Sequence, residues 1–160
     1  MITEPINYNI NVRGKLMNLG EPQVMGILNV TPDSFFADSR KQTEAEIYNR
    51  ANQIMEEGAT IIDVGACSTR PGGAVVNEEE EMARLAFALP IITKAQPEAV
   101  ISIDTFRASV ARRCIEEFGA DIINDVEEGK DPDMFKTVAE LGVPYILMSV
   151  AANLRDLLIN

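Results

Sequence analysis

Five apolar runs in the chain each close on a small polar residue. Val24–Leu28 runs into Asn29, Ala59–Ile62 into Asp63, Ala99–Ile103 into Asp104, Ala120–Ile123 into Asn124-Asp125, and Val143–Met148 into Ser149. Stretches of helical period separate the runs. The first is expected to start at Thr43, where Thr43-x-x-Glu46 forms a capping box, with Ile47, Ala51, Ile54 and Met55 on one face and Gly58 as its stop. A second helix starts after Asn77 as its cap. The third carries the stripe Val110, Ala111, Cys114, Ile115 and Phe118 up to Gly119. A fourth opens on Asp131-Pro132 and stops at Gly142, and another begins within 153–160. Residues 6–19 alternate around Arg13-Gly14, which predicts a short β-hairpin.

Strands alternating with helices define an α/β chain, and near-continuous apolar strands indicate a parallel sheet covered on both faces. Its length of 160 residues fits one domain, 1–160. Five units fit two architectures: an open doubly wound sheet, or the first part of a (β/α)8 barrel, which as a whole needs roughly 200 residues or more. The hydrophobic pattern leaves both open. In either, ligands bind at the carboxyl ends of the strands, so the Asn, Asp, Asp, Asn/Asp and Ser endings aim at one rim. The stretches from 29 to 63 and from 63 to 104 hold extra loop on that rim, where function tends to sit.

Charge narrows the partners. Twenty-five acidic against 14 basic residues give a net charge of −11, which argues against nucleic acid as a partner. The run Glu78-Glu79-Glu80-Glu81 has two readings: compensation of the positive end of the helix dipole on a solvated face, or an acidic metal cluster. The first explains the run fully. The chain has no histidine, so no histidine base or metal ligand operates within it. Cys67 and Cys114 have no metal-ligand spacing, and two isolated thiols suit a reducing, cytoplasmic setting, with Cys114 in the core. The residues from Met1 lack the basic start and apolar stretch of a secretory signal, and no apolar run approaches the ~18 residues of a membrane span, so no membrane partner is expected.

Two loops and two strand ends carry chemistry. Asn29-Val30-Thr31-Pro32-Asp33-Ser34-Phe35-Phe36 offers oxygens for a hard cation or donors for an anion, and reads equally as an ordinary turn; Phe35 and Phe36 are either a lid or an anchor. In Gly65-Ala66-Cys67-Ser68-Thr69-Arg70-Pro71-Gly72-Gly73, Arg70 brings a planar donor fork suited to phosphate or carboxylate. Asp104 and Asn124, on neighbouring strand ends, can grip the edge of a heterocycle with alternating donors and acceptors, and either can instead cap the helix that follows.

These segments, Met25-Gly26-Ile27-Leu28-Asn29-Val30-Thr31-Pro32-Asp33-Ser34-Phe35, Ile62-Asp63-Val64-Gly65 with Ser68-Thr69-Arg70-Pro71-Gly72, Ser102-Ile103-Asp104-Thr105 and Ile123-Asn124-Asp125-Val126, strongly resemble the dihydropteroate synthase family. The resemblance covers about 22–150. It implies a (β/α)8 barrel of the pterin-binding superfamily, and a transferase that condenses dihydropterin-hydroxymethyl pyrophosphate with p-aminobenzoate, in folate synthesis and as the target of sulfonamides. By motif position it implies Asn29 as the protein ligand to Mg²⁺ and Asp104, Asn124 and Asp63 as contacts to the pterin. Thr69 and Arg70 are implied near aminobenzoate and pyrophosphate, and Phe35 and Pro71 as walls of the aminobenzoate pocket. Asp104, Asn124 and Arg70 form the implied catalytic set.

Ala66-Cys67 replaces the family's common Gly-Glu, Ser39-Arg40 stands where Gly-Gly is usual, and its later motifs are not found. The expectation is therefore an N-terminal part of a barrel, with the C-terminal strands absent, inactive alone and prone to homo-oligomerise through open sheet edges. Competing expectations are a pterin-binding methyltransferase domain, a non-catalytic chain that binds pterin or only self-associates, and a flavodoxin-like module unrelated to pterin.

Overall fold

The computed structural model describes residues 8–30, 40–67 and 76–148. A hairpin of β1 (Asn9–Val12) and β2 (Lys15–Asn18) comes first, and its two loop residues, Arg13 and Gly14, both have positive φ, 52° and 75°. That is the turn whose twist matches paired strands, and Arg13-Gly14 is where the sequence placed it. Then follow β3 (Met25–Asn29), α1 (Arg40–Glu56), β4 (Ile61–Gly65), α2 (Glu78–Ala95), β5 (Val100–Asp104), α3 (Ala108–Phe118), β6 (Ile122–Asp125), α4 (Met134–Leu141) and β7 (Tyr145–Leu147).

The second sheet has the order β3-β4-β5-β6-β7, all parallel. This order decides between the two architectures. Right-handed crossovers between sequential neighbours put every helix on the same face, whereas a doubly wound sheet must reverse direction. Leu28, Ile62, Val64, Ile101, Ile103 and Ile123 share one core with Ala51 and Ile54 of α1, Leu85 and Ile92 of α2, Val110 and Cys114 of α3, and Val138 of α4. The opposite face carries Ile27, Asp63, Ser102 and Ile122, none of which belongs to that core. The described helices pack on one face of the sheet, as expected for part of a barrel. The winding is that of a (β/α)8 barrel, with the polar residues turned to the concave side.

Two predicted helix starts move. α1 begins at Arg40, three residues before the supposed capping box, and Thr43 is buried within it. Arg40, Lys41 and Gln42 are good helix formers, and nothing among them stops propagation. α4 begins at Met134, and Asp131 divides its carboxylate between two elements. One oxygen accepts from the Asp133 N–H (3.0 Å), closing a local turn, and the other accepts from Ala108 N–H (2.8 Å) at the start of α3. The Asn77 cap holds, its side chain accepting from Glu80 N–H at 2.8 Å, and α3 ends on a left-handed Gly119. Ser149 and the helix expected in 153–160 lie outside the described residues.

The hairpin is tied to the amino-terminal end of the sheet. Arg13 donates through Nε to Asp121 Oδ1 (2.6 Å) and through Nη2 to Asp121 Oδ2 (2.8 Å) and the Ala99 carbonyl (3.0 Å). Asp121 and Ala99 immediately precede β6 and β5, and Asp121 Oδ2 also accepts from Ile101 N–H at 2.9 Å. Arg13→Ala leaves the buried Asp121 carboxylate with that one bond. It should cost about 1–3 kcal/mol, read as a lower urea midpoint at unchanged m-value.

Candidate functional site

Strand register levels the site. Asn29 pairs with Gly65, Gly65 with Asp104, and Asp104 with Asn124, so four consecutive strands place these residues in one row on the concave face. Asp63 and Ser102 stand one step below in the same way. Parallel strands without bulges keep such rows level, so three sequence-distant polar residues and a glycine meet at one end of the sheet.

Gly65 lets the row close. A Cβ there would lie 3.2 Å from Asn29 Oδ1 and 3.2 Å from Asp104 Oδ2, so both side chains lean over it. Asn124 Nδ2 donates to Asp63 Oδ2 at 3.0 Å, which fixes the amide's orientation and leaves its oxygen without a partner among the described residues. The second Asp63 oxygen, Oδ1, is buried without a partner among the described residues, as is Ser102 Oγ. Unpaired buried acceptors are costly and tend to mark places where a ligand donor belongs. Asp104 is not a helix cap: at the start of α3, Thr105 Oγ1 accepts from Arg107 N–H and Asp131 from Ala108 N–H. Burial, first, and then repulsion from Asp63, Glu81 and Asp125 push the Asp104 carboxyl up to about 6. Asp125 points to the helix face, where it is buried and accepts from Tyr145 Oη–H (2.7 Å) and Glu127 N–H (2.8 Å).

Of the residues singled out from sequence, Asn29, Asp63, Asp104 and Asn124 are brought together on this row and the step beneath it. Phe35, Thr69, Arg70 and Pro71 lie outside the described residues.

Glu81 corrects the reading of the glutamate run as a solvated face. It is fully buried. Its carboxylate accepts from Thr105 Oγ1–H (2.7 Å) and from Arg107 Nη1, which also points at Cys67 Sγ at 3.5 Å, while Arg107 Nη2 donates to the Val76 carbonyl at 2.7 Å. Arg84 donates to the Ala66 carbonyl at 2.8 Å. The two arginines thereby hold the residues flanking 68–75 against the end of β5. A signal for this exists in the sequence: Glu81 falls on the stripe Leu85, Ala88 and Ile92, all buried on α2. Burial and Glu81 push the Cys67 thiol up to about 11, and burial holds Cys114 at about 12, which keeps both as neutral thiols.

The fold and the site define a singly wound α/β protein whose strand ends present oxygen acceptors on the concave face. Comparison with known proteins gives that class a family. The chain matches the pterin binding enzyme family over residues 25–157, and it belongs to that family. It is 41% identical over 141 residues to the dihydropteroate synthase of Escherichia coli K12, covering 88% of this chain and 49% of that one. To the Bacillus subtilis dihydropteroate synthase it is 44% identical over 128 residues, covering 78% and 44%. The structure of Xanthomonas albilineans dihydropteroate synthase with 4-aminobenzoic acid superposes with a TM-score of 0.75 at 37% identity, over 91% of this chain and 52% of that one. The chain thus spans about half the length of these bacterial relatives.

Two outcomes follow from the site's electrostatics. Because the folded Asp104 carboxyl titrates near 6, above its ordinary 3.8, its ionisation lowers stability progressively as pH rises from about 4 to 6. Asp104→Asn should therefore raise the melting temperature at pH 8 relative to the unaltered chain, and the difference should vanish near pH 4. Glu81→Leu leaves Arg107 without its buried partner and should cost about 3–5 kcal/mol, measured by denaturant unfolding.

Proposed function

We propose that this chain forms the pterin-gripping part of a dihydropteroate synthase. Such an enzyme condenses 6-hydroxymethyl-7,8-dihydropterin pyrophosphate with p-aminobenzoate to give dihydropteroate and pyrophosphate in folate synthesis. The observation that carries the proposal is the level row of Asn29, Asp104 and Asn124 over Gly65, with an unpartnered Asp63 oxygen beneath. Carboxylates accept from the N–H groups of the pterin ring, and the Asn124 amide oxygen is free for another donor. In the solved relatives, the Anaplasma phagocytophilum protein holds 6-hydroxymethylpterin-monophosphate and a Xanthomonas albilineans structure holds 7,8-dihydropteroate, which supports the same substrate class here.

In the reaction, the bond from the pterin methylene carbon to the pyrophosphate oxygen breaks, and the electron pair leaves with pyrophosphate. The aminobenzoate nitrogen bonds to that carbon and then loses a proton. An aromatic amine attacks without a strong base, so a histidine-free site suffices. Asp104 and Asp63, as anions beside the ring, favour the positive charge that develops on the pterin. By motif position, Arg70 and Thr69 are assigned to the pyrophosphate and aminobenzoate and Phe35 and Pro71 to the aminobenzoate pocket; all four lie outside the described residues.

The donor set fits Mg²⁺. Mg²⁺ commonly takes one or two protein oxygens, with water and substrate phosphate completing its shell. Asn29 Oδ1 is that oxygen, and the bound ion would offset charge on the leaving pyrophosphate. The same reading makes the protein a cytoplasmic homo-oligomer and a sulfonamide target. Among the described residues no helix is long and apolar enough to cross a membrane.

The test is incorporation of labelled p-aminobenzoate into dihydropteroate by the 160-residue chain, with and without a complementing C-terminal half, and with and without Mg²⁺. Product is expected only with the complementing half, and methyl transfer from a folate in place of this condensation would overturn the proposal. Asn29→Ala should remove the Mg²⁺ dependence of pterin-pyrophosphate affinity while leaving the affinity for 6-hydroxymethylpterin within about twofold, measured by calorimetry.

A further inference from the structure

Gly65 is the last residue of β4, paired with Asn29 on one side and Asp104 on the other, and its carbonyl accepts from Val30 N–H at 2.8 Å. Its φ is not positive, so the backbone does not require a glycine. A glycine in such a place loosens the strand and gives no conformational return, and its presence commonly marks a close approach by something else. Among the described residues, the three atoms nearest an added Cβ all belong to side chains. The neighbours of an added Cβ are Asn29 Oδ1 and Asp104 Oδ2, each at 3.2 Å, and Asp104 Cβ at 3.6 Å. Two oxygen acceptors from the flanking strands therefore lean towards one bare Cα. Two residues earlier on the same face, the buried Asp63 Oδ1 has no partner among the described residues.

We propose that Gly65 is a specificity-determining residue: its bare Cα is the floor on which the flat face of the pterin ring rests while Asn29, Asp104 and Asp63 meet its edges and phosphate end. This deepens the pterin reading above and rests on it. A side chain at 65 lifts the ring away from the acceptors and spreads Asn29 and Asp104 apart. The fold tolerates it, because a few tenths of an ångström of movement suffice, and the Asn29 side chain is exposed and free to yield. Stability and binding therefore respond in opposite directions, which separates a ligand floor from a packing residue.

The experiment titrates 6-hydroxymethylpterin into the full chain and into its Gly65→Ala variant by calorimetry, with thermal unfolding of both. The expected result is an affinity at least about tenfold weaker in the variant, with an unfolding temperature equal to or higher than that of the unaltered chain. Equal affinity in the two proteins overturns the inference and leaves the proposed function standing. Loss of affinity together with loss of the fold shows a glycine needed for packing and also overturns it. Failure of the unaltered chain to bind 6-hydroxymethylpterin overturns the proposed function and this inference together.

Discussion

The register of the parallel sheet is the constraint on which the site depends. Asn29, Gly65, Asp104 and Asn124 are far apart along the chain and come level only because each strand pairs with its sequential neighbour without slippage. A slip of one residue on any strand turns its polar ending to the helix face and brings an isoleucine or valine to the concave side. The apolar residues that alternate with the site, Leu28, Val64, Ile103 and Ile123, prevent that slip, because they are buried against the helices. Core packing and site geometry are two faces of the same strands.

Like charges give the site its character. Asp63, Asp104, Glu81 and Asp125 lie close enough that ionising Asp104 is disfavoured. The surrounding structure divides these acids by task. Glu81 is neutralised by Arg107 and held by Thr105, and Asp125 is held by Tyr145 and a backbone N–H, so both stay fixed in the body of the protein. Asp63 shares one oxygen with Asn124, and Asp104 leans over Gly65. The two acids with unused acceptor capacity are the two that face the concave side.

Opposite ends of the sheet carry opposite duties. Arg13 fastens the hairpin to Asp121 at the amino ends, with an ion pair remote from the ligand side. At the carboxyl ends, Arg84 and Arg107 fasten the chain on either side of 68–75 through the carbonyls of Ala66 and Val76.

Much was legible along the chain, because local patterns carry it. The apolar runs located the five parallel strands, the alternation around Arg13-Gly14 located the hairpin, and Asn77 and Gly119 bounded their helices through local hydrogen bonding. The polar endings also marked the rim, and Asn29, Asp63, Asp104 and Asn124 were identifiable from it and from motif resemblance. Other features depended on partners distant in sequence. Asp131 reaches across 23 positions to the start of α3 as well as closing its own local turn, and Glu81 escapes the solvated run because Thr105 and Arg107, 24 and 26 positions away, receive it. The choice between doubly wound and singly wound sheet likewise rested on strand order, which hydrophobic periodicity does not encode. Sequence alone fixes which residues are apolar, which turn and which cap. Only the tertiary structure decides which neighbours satisfy a buried charge and which acceptors are left for a ligand, because those outcomes depend on long-range pairing in a low-dielectric interior.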